Sequence, residues 1–128
     1  MHILSLMGAG PYYDECVKSG RYSAMSMFTD PAKNWEELDG KTIGIIGMGN
    51  IGSRVAKIAE AFGMNVCYFS TSGTGHCKDY PCLPLDELLN QSDVVSIHAP
   101  LNERTNGLIG AQQIALMKPT SIIGNMGR

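Results

Sequence analysis

Apolar residues are unevenly distributed along this chain. From position 42 onward, short runs rich in β-branched residues, at 42–46, 66–69, 94–97 and 121–123, alternate with longer mixed stretches. The runs are continuously apolar rather than alternating, which predicts strands buried on both faces. Their alternation with helical patterns is the rhythm of βαβ units around a parallel sheet. The clearest helical stretch separates the first two runs: Ile51, Val55, Ile58, Ala59 and Phe62 recur at helical spacing, while Arg54, Lys57 and Glu60 point elsewhere. This predicts a helix whose apolar stripe docks on the sheet, ended by Gly63. A shorter helix is predicted over 86–91, entered through Pro84, whose missing N–H would be unpaired in a first turn anyway. A third is predicted over 111–117, where Lys118 suits the negative end of the helix dipole and Pro119 ends it. Between 70 and 84 the chain turns to Ser, Thr, Gly, Lys, Asp and Pro, which reads as a surface connection.

Residues 1–40 follow neither pattern. The segment 11–20 has a proline at a helix start and a glycine stop, but no strand precedes it and periodicity up to Gly40 is weak. Such a segment cannot build its own core and is expected to pack on the βα unit or on another chain. The expected organisation is a helical arm and connection over 1–40, offering a dimer contact, followed by an α/β domain over 41–128.

A length of 128 residues suits one domain. Lys+Arg total 10 against Asp+Glu 12, a net charge of −2, so no basic excess exists to hold a phosphate backbone and nucleic acid is not an expected partner. No run approaches the roughly 18 apolar residues of a membrane span, and the start lacks the positive n-region of a signal peptide. Four cysteines with no C-x-x-C pair favour reduced thiols and a cytoplasmic setting. Cys67, His76, Cys77 and Cys82 are soft donors, but Cys67 falls inside a predicted buried strand and adjacent His76 and Cys77 lack ligand-pair spacing. No metal site is expected.

Glycine is the compositional outlier: 15 residues, five of them between Gly40 and Gly52, against an average of about 7%. Gly47-Met48-Gly49-Asn50-Ile51-Gly52 reads G-x-G-x-x-G, a weak pattern alone. Its position after a buried strand and at the opening of an amphipathic helix gives it chemical meaning. Gly47 can make the tight turn, Gly49 can leave room for a pyrophosphate, and Gly52 can let helix and strand approach closely. The free N–H groups at the helix start, at Asn50 and Ile51, attract phosphate. The expected ligand is a dinucleotide, NAD or NADP. An acid at the end of the second strand would accept from the adenosine ribose 2′-OH, yet that place reads Ser70-Thr71-Ser72. The missing carboxylate removes a bar to NADP without establishing a preference, since only His76 and Lys78 nearby in sequence add positive charge. Ser70, Thr71 and Ser72 read equally well as turn hydroxyls.

Four ordered motifs then carry a resemblance: the stretch 38–52 with its glycine fingerprint, the stretch 92–105 with His98-Ala99-Pro100-Leu101 and Thr105, Leu116-Met117-Lys118-Pro119, and Asn125-Met126-Gly127-Arg128. Together with Tyr12-Tyr13-Asp14 and 17–23, they resemble the D-2-hydroxyacid dehydrogenase family over essentially the whole chain. The resemblance implies a doubly wound parallel sheet of Rossmann type, here with about four strands and incomplete. It implies hydride transfer between a nicotinamide C4 and the C2 carbon of a 2-hydroxy or 2-oxo acid, this chain being the NAD(P)-binding part. Cofactor contacts are implied for Gly47, Gly49, Asn50, Ile51, Gly52, Ser70, Thr71, His98, Ala99, Pro100, Thr105, Asn125 and Met126. Arg128 matches the family's arginine that grips the substrate carboxylate, a catalytic role that a bidentate, permanently charged guanidinium suits. The family's acid/base His and its Glu lie beyond the motif at which this sequence ends, so the chain alone is expected to bind rather than turn over. The alternative is a dinucleotide-binding or structural module with no turnover of its own. A homodimer built through the cofactor domain and the arm is also implied. A strand order of 3-2-1-4 would leave 121–123 as an exposed edge prone to association.

Overall fold

The computed structural model describes residues 2–127, which fall into two compact units that meet in sequence at Glu37 and Leu38. The first holds α1 (His2–Met7), α2 (Gly10–Lys18) and a 3-10 turn at Tyr22–Ala24. The sequence pattern does not announce α1, because so short a helix carries too little of a 3.6-residue period to register. The organising group of this unit is polar. Buried Asp30 accepts hydrogen bonds from the Tyr12 hydroxyl at 2.8 Å, the Ala32 N–H at 2.9 Å and the Arg21 guanidinium at 3.3 Å. The Ala32 amide, then the Tyr12 hydroxyl, hold its carboxyl below the usual carboxylate range. A carboxylate hub in place of an apolar stripe explains the weak periodicity of 20–40.

The second unit is a parallel sheet of β1 (Thr42–Ile46), β2 (Asn65–Phe69), β3 (Val94–Ile97) and β4 (Ile122–Asn125), joined through α3 (Asn50–Ala61), α4 (Leu85–Gln91) and α5 (Ala111–Leu116). The expected α/β parallel class of Rossmann type is present. The strand order is β2-β1-β3-β4, and Cys82 adds a parallel bridge to Tyr68 on the outer edge of β2, so that with this segment counted third the order is the expected doubly wound 3-2-1-4, continued by β4. The reason lies in burial: Ile43, Ile45, Ile46, Val94 and Val95 are all at most 1% exposed, so β1 and β3 need neighbours on both faces and both edges. A polar clasp fixes them side by side, with the Thr42 N–H donating to the Asp93 carboxylate at 2.9 Å and the Asp93 N–H to the Thr42 carbonyl at 2.8 Å. β4 pairs only with β3 and forms an edge, as expected.

Chain direction reverses at β1, going out to β2 and back across to β3, and right-handed crossovers then place α3 and α4 on opposite faces. Two adjacent residues of β1 show it. A Cβ at Gly44 would overlap Leu88 and Ser92 beside α4, whereas the Ile45 side chain lies 3.2 Å from where a Gly52 Cβ would sit in α3. Leu88 and Leu89 are fully buried with Ile46, Cys67, Val95 and Ala99. Burying one leucine is worth about 1.5–3 kcal/mol, against about 0.3–0.5 kcal/mol for a helix-surface ion pair such as Lys18 with Asp14. Apolar burial therefore seats α4.

The sequence reading of α3 needs correction. Its sheet-facing residues are Gly52, Ala56 and Ala59, while Ile51, Ile58 and Phe62 are 65%, 58% and 48% exposed. Close approach to β1 admits only small side chains, so Ile51, Ile58 and Phe62 face away, while Ala59 of the predicted stripe is buried and Val55 half-buried. The third helix ends at Leu116, one residue early, with Met117 already extended.

Asp93 also takes a hydrogen bond from Lys118 Nζ at 2.7 Å. Burial pushes its carboxyl up, but Lys118 and the Thr42 amide outweigh that and hold it below the usual range. A carboxyl lowered on folding contributes stability that is complete above its unfolded value of about 3.9 and is lost as pH falls through the lower folded value. Urea midpoints are therefore expected to drop as pH falls below about 4, and Asp93→Asn should make that decline shallower. Identical acid limbs for the two proteins would contradict the assignment.

Candidate cofactor site

The carboxyl ends of β1 and β3 stand together at the point where the chain reverses direction, which is where open α/β sheets bind ligands. Gly47 leaves β1 with a φ of +94°, a left-handed turn that favours glycine, and a Cβ there would meet Ala99 N at 3.0 Å and His98 C at 3.1 Å. The loop after β1 thus rests on the loop after β3. Gly49 precedes α3 in extended conformation, and a Cβ on it would find nothing within 4 Å. At Gly52 a Cβ would instead overlap the Gly47 carbonyl oxygen. The three glycines have three distinct reasons: a left-handed turn, open space, and contact of helix with strand end. The first-turn N–H groups at Asn50, Ile51 and Gly52 have no acceptor within the helix, and its dipole favours an anion there.

Three cavities run along this edge and share Pro100 as a lining residue. The central one, about 140 Å³, brings together Gly47, Gly49, Ser70, Thr71, His98 and Pro100. On the β4 side a cavity of about 240 Å³ is lined by Ala99, Thr105, Asn125 and Gly127 among others. On the β2 side one of about 500 Å³ lies among Thr71, Ser72 and Arg104. Asn50, Ile51 and Met126 stand apart from these linings. Asn50 and Ile51 point outward, so only their backbone amides face the anion position. Met126 is 53% exposed, and its N–H donates to the Ile97 carbonyl at 2.9 Å, extending the pairing of β4 with β3. Thr105 has its hydroxyl occupied by the Pro100 carbonyl and the Asn102 N–H, which shapes the loop after β3. Arg128 lies outside the described residues.

His98 carries an orphan. Its Nδ1 is buried without a hydrogen-bond partner, while Nε2 lies 2.9 Å from Ser96 Oγ. Burial pushes the imidazole below its ordinary value, so it is neutral at pH 7. An unpartnered buried polar atom beside an open glycine turn is what a site built to receive a polar ligand shows.

At the end of β2, Ser70 Oγ donates to the Thr74 carbonyl at 2.6 Å, and the His76 ring nitrogen Nε2 lies 2.9 Å from Thr74 Oγ1 and 3.3 Å from Ser72 Oγ. The hydroxyls do form a turn. Facing them is a residue the sequence reading passed over: Arg104 Nη1 donates to the Ser72 carbonyl at 3.3 Å. Arg104 and Ser72 are 32 positions apart, and only the β2-β1-β3 order brings the two loops together. No local pattern signals it. Cys67 is buried in β2, and among the described residues no group of three His, Cys, Asp or Glu side chains is gathered to hold a metal.

A fingerprint turn with clearance at Gly49, an anion-ready helix start and a crevice at the reversal point define a dinucleotide-binding α/β domain. The sequence profile of the D-isomer specific 2-hydroxyacid dehydrogenase family, NAD binding domain, matches residues 1–128, and the chain belongs to that family. A glyoxylate reductase of Aeropyrum pernix is 48% identical over 97 residues, 72% of this chain and 28% of that enzyme. The D-lactate dehydrogenase of Aquifex aeolicus, solved with NAD and lactic acid, superposes with a TM-score of 0.85 at 36% identity, covering 98% of this chain and 37% of that one. An acyclic imino acid reductase solved with NADPH and D-Arg superposes with a TM-score of 0.87 at 32% identity, covering 98% of this chain and 39% of that one. The chain thus spans well under half the length of these relatives.

The contrast between two glycines is testable. Gly49→Val places a side chain in open space and is expected to weaken NADH binding by more than about tenfold while leaving the thermal midpoint unchanged. Gly52→Val drives a side chain into backbone and is expected to lower the midpoint itself. Calorimetric titration and thermal melts check both, and unchanged affinity in Gly49→Val would contradict the pyrophosphate position.

Proposed function

We propose that the chain is the cofactor-holding part of an oxidoreductase that moves a hydride between a nicotinamide and the C2 carbon of a small D-2-hydroxy or 2-oxo acid. The observation that carries this reading is the clearance over Gly49 beside the first-turn amides of α3, at the reversal point of the sheet. The bound dinucleotide supplies the hydride donor or acceptor at its nicotinamide. This chain's residues hold it. The amides of Asn50, Ile51 and Gly52 offset the pyrophosphate charge, Ser70 and Thr71 hydrogen-bond the adenosine ribose, and neutral His98 with Ala99 and Pro100 walls the crevice. Thr105, Asn125 and Met126 shape its far end, and Arg128 grips the substrate carboxylate. The glyoxylate reductase and the lactic acid complex among the relatives support a short 2-oxo acid as substrate.

The protein works as a cytoplasmic homodimer in this reading. Free thiols at Cys16, Cys67, Cys77 and Cys82 suit a reducing compartment. The exposed row of Ile51, Ile58 and Phe62 on α3 suits a second copy, since apolar patches of this kind mark association surfaces.

Calorimetric titration of the chain with NADH and NADPH is expected to give saturable binding in the micromolar to submillimolar range. Neither nucleotide binding at millimolar concentration would sink the reading. In sedimentation experiments, Ile58→Glu is expected to convert a dimer to monomers without loss of helicity, and a dimer that survives it would rule out the α3 face.

A further inference from the structure

The cofactor reading leaves the choice between NADH and NADPH open, and three observations at the β2 end of the crevice bear on it. The first is what the turn after β2 offers. Ser70, Thr71, Ser72 and Thr74 present hydroxyls and His76 a ring, with no carboxylate where a ribose-binding acid would stand. An acid there accepts from the 2′-OH of NADH and repels a 2′-phosphate, so the turn lacks both the attraction for one and the repulsion for the other.

The second is Arg104, which crosses from the loop after β3 to donate one N–H to the Ser72 carbonyl at 3.3 Å. A guanidinium carries five N–H donors. Among the described residues Arg104 meets no carboxylate at ion-pair distance, although Glu103 lines the same cavity. Its charge is therefore uncompensated by a partner and its remaining donors are available to a ligand. The third is space: about 500 Å³ lies open between Thr71, Ser72 and Arg104, adjoining the cavity at the glycine turn. A dianionic phosphoryl group pairs best with a planar bidentate fork supported by hydroxyl donors.

We propose that Arg104 is the residue by which this chain selects NADPH over NADH, its guanidinium and the Thr71 hydroxyl together holding the 2′-phosphate of the adenosine ribose, while Ser70 and Ser72 hold the turn in shape through the Thr74 carbonyl. This rests on the reading that the crevice binds a nicotinamide dinucleotide. The Ser72 carbonyl acts as a rest for the fork, keeping it over the turn before ligand arrives, so less side-chain freedom is lost on binding.

The test is calorimetric titration of the full chain and of Arg104→Gln with NADPH, NADH, adenosine 2′,5′-bisphosphate and 5′-AMP. The chain is expected to bind NADPH more than about tenfold tighter than NADH, and the bisphosphate more than about tenfold tighter than 5′-AMP. Arg104→Gln is expected to abolish both preferences while leaving NADH affinity within about twofold. A second variant, Ser70→Asp, is expected to reverse the preference toward NADH. Equal or tighter binding of NADH by the unmodified chain, or equal loss for both nucleotides in Arg104→Gln, would overturn the role of Arg104 and leave the cofactor site standing. Binding of neither dinucleotide would overturn the cofactor reading itself, and this proposal with it.

Discussion

The contact between the Gly47 carbonyl and Gly52 sets the geometry of everything that follows. Helix α3 begins against the end of β1, and a single Cβ at Gly52 would overlap that carbonyl oxygen. Because the helix can come this close, its first-turn amides lie at the carboxyl end of the central strand rather than a side-chain layer above it. The same closeness explains why Gly52, Ala56 and Ala59 face the sheet and why the larger Ile51, Ile58 and Phe62 cannot. One short-range constraint thus produces both the anion position and the exposed apolar face of α3.

Around that contact the site is organised by charge sparingly placed. The turn after β2 holds hydroxyls instead of an acid, His98 is kept neutral by burial, and one guanidinium spans from the far loop. The carboxylates that matter to the fold lie elsewhere. Asp93 clasps β1 to β3 and takes Lys118, while Asp30 gathers the helical unit. Asp93 stands at the amino ends of β1 and β3, away from the crevice at their carboxyl ends.

Much of the site was legible in the sequence, because it rests on local rules. The fingerprint 47–52 encodes a turn, a gap and a close approach within six residues, and each glycine does something a side chain could not. Strands β1 and β3 were legible for a related reason, since continuous apolar runs have no solvent face to reveal. Three things were not legible. Three of the five stripe residues of α3, Ile51, Ile58 and Phe62, obey helical periodicity yet face outward, because periodicity identifies an apolar face but not the distance at which the helix packs. Arg104 carries no local signal, since the turn it reaches lies 32 positions away in sequence. Helix α1 was too short to show a period.

The sequence by itself determined the class of the domain and the chemistry of its glycine turn, since backbone conformation and strand burial follow from residues adjacent in the chain. Tertiary structure alone decided the outward turn of Ile51, Ile58 and Phe62 and the meeting of Arg104 with Ser72. These depend on which strands compete for the buried centre and on which loops the winning order then places side by side. Such competition is settled between segments far apart in sequence, and no window along the chain contains both sides of it.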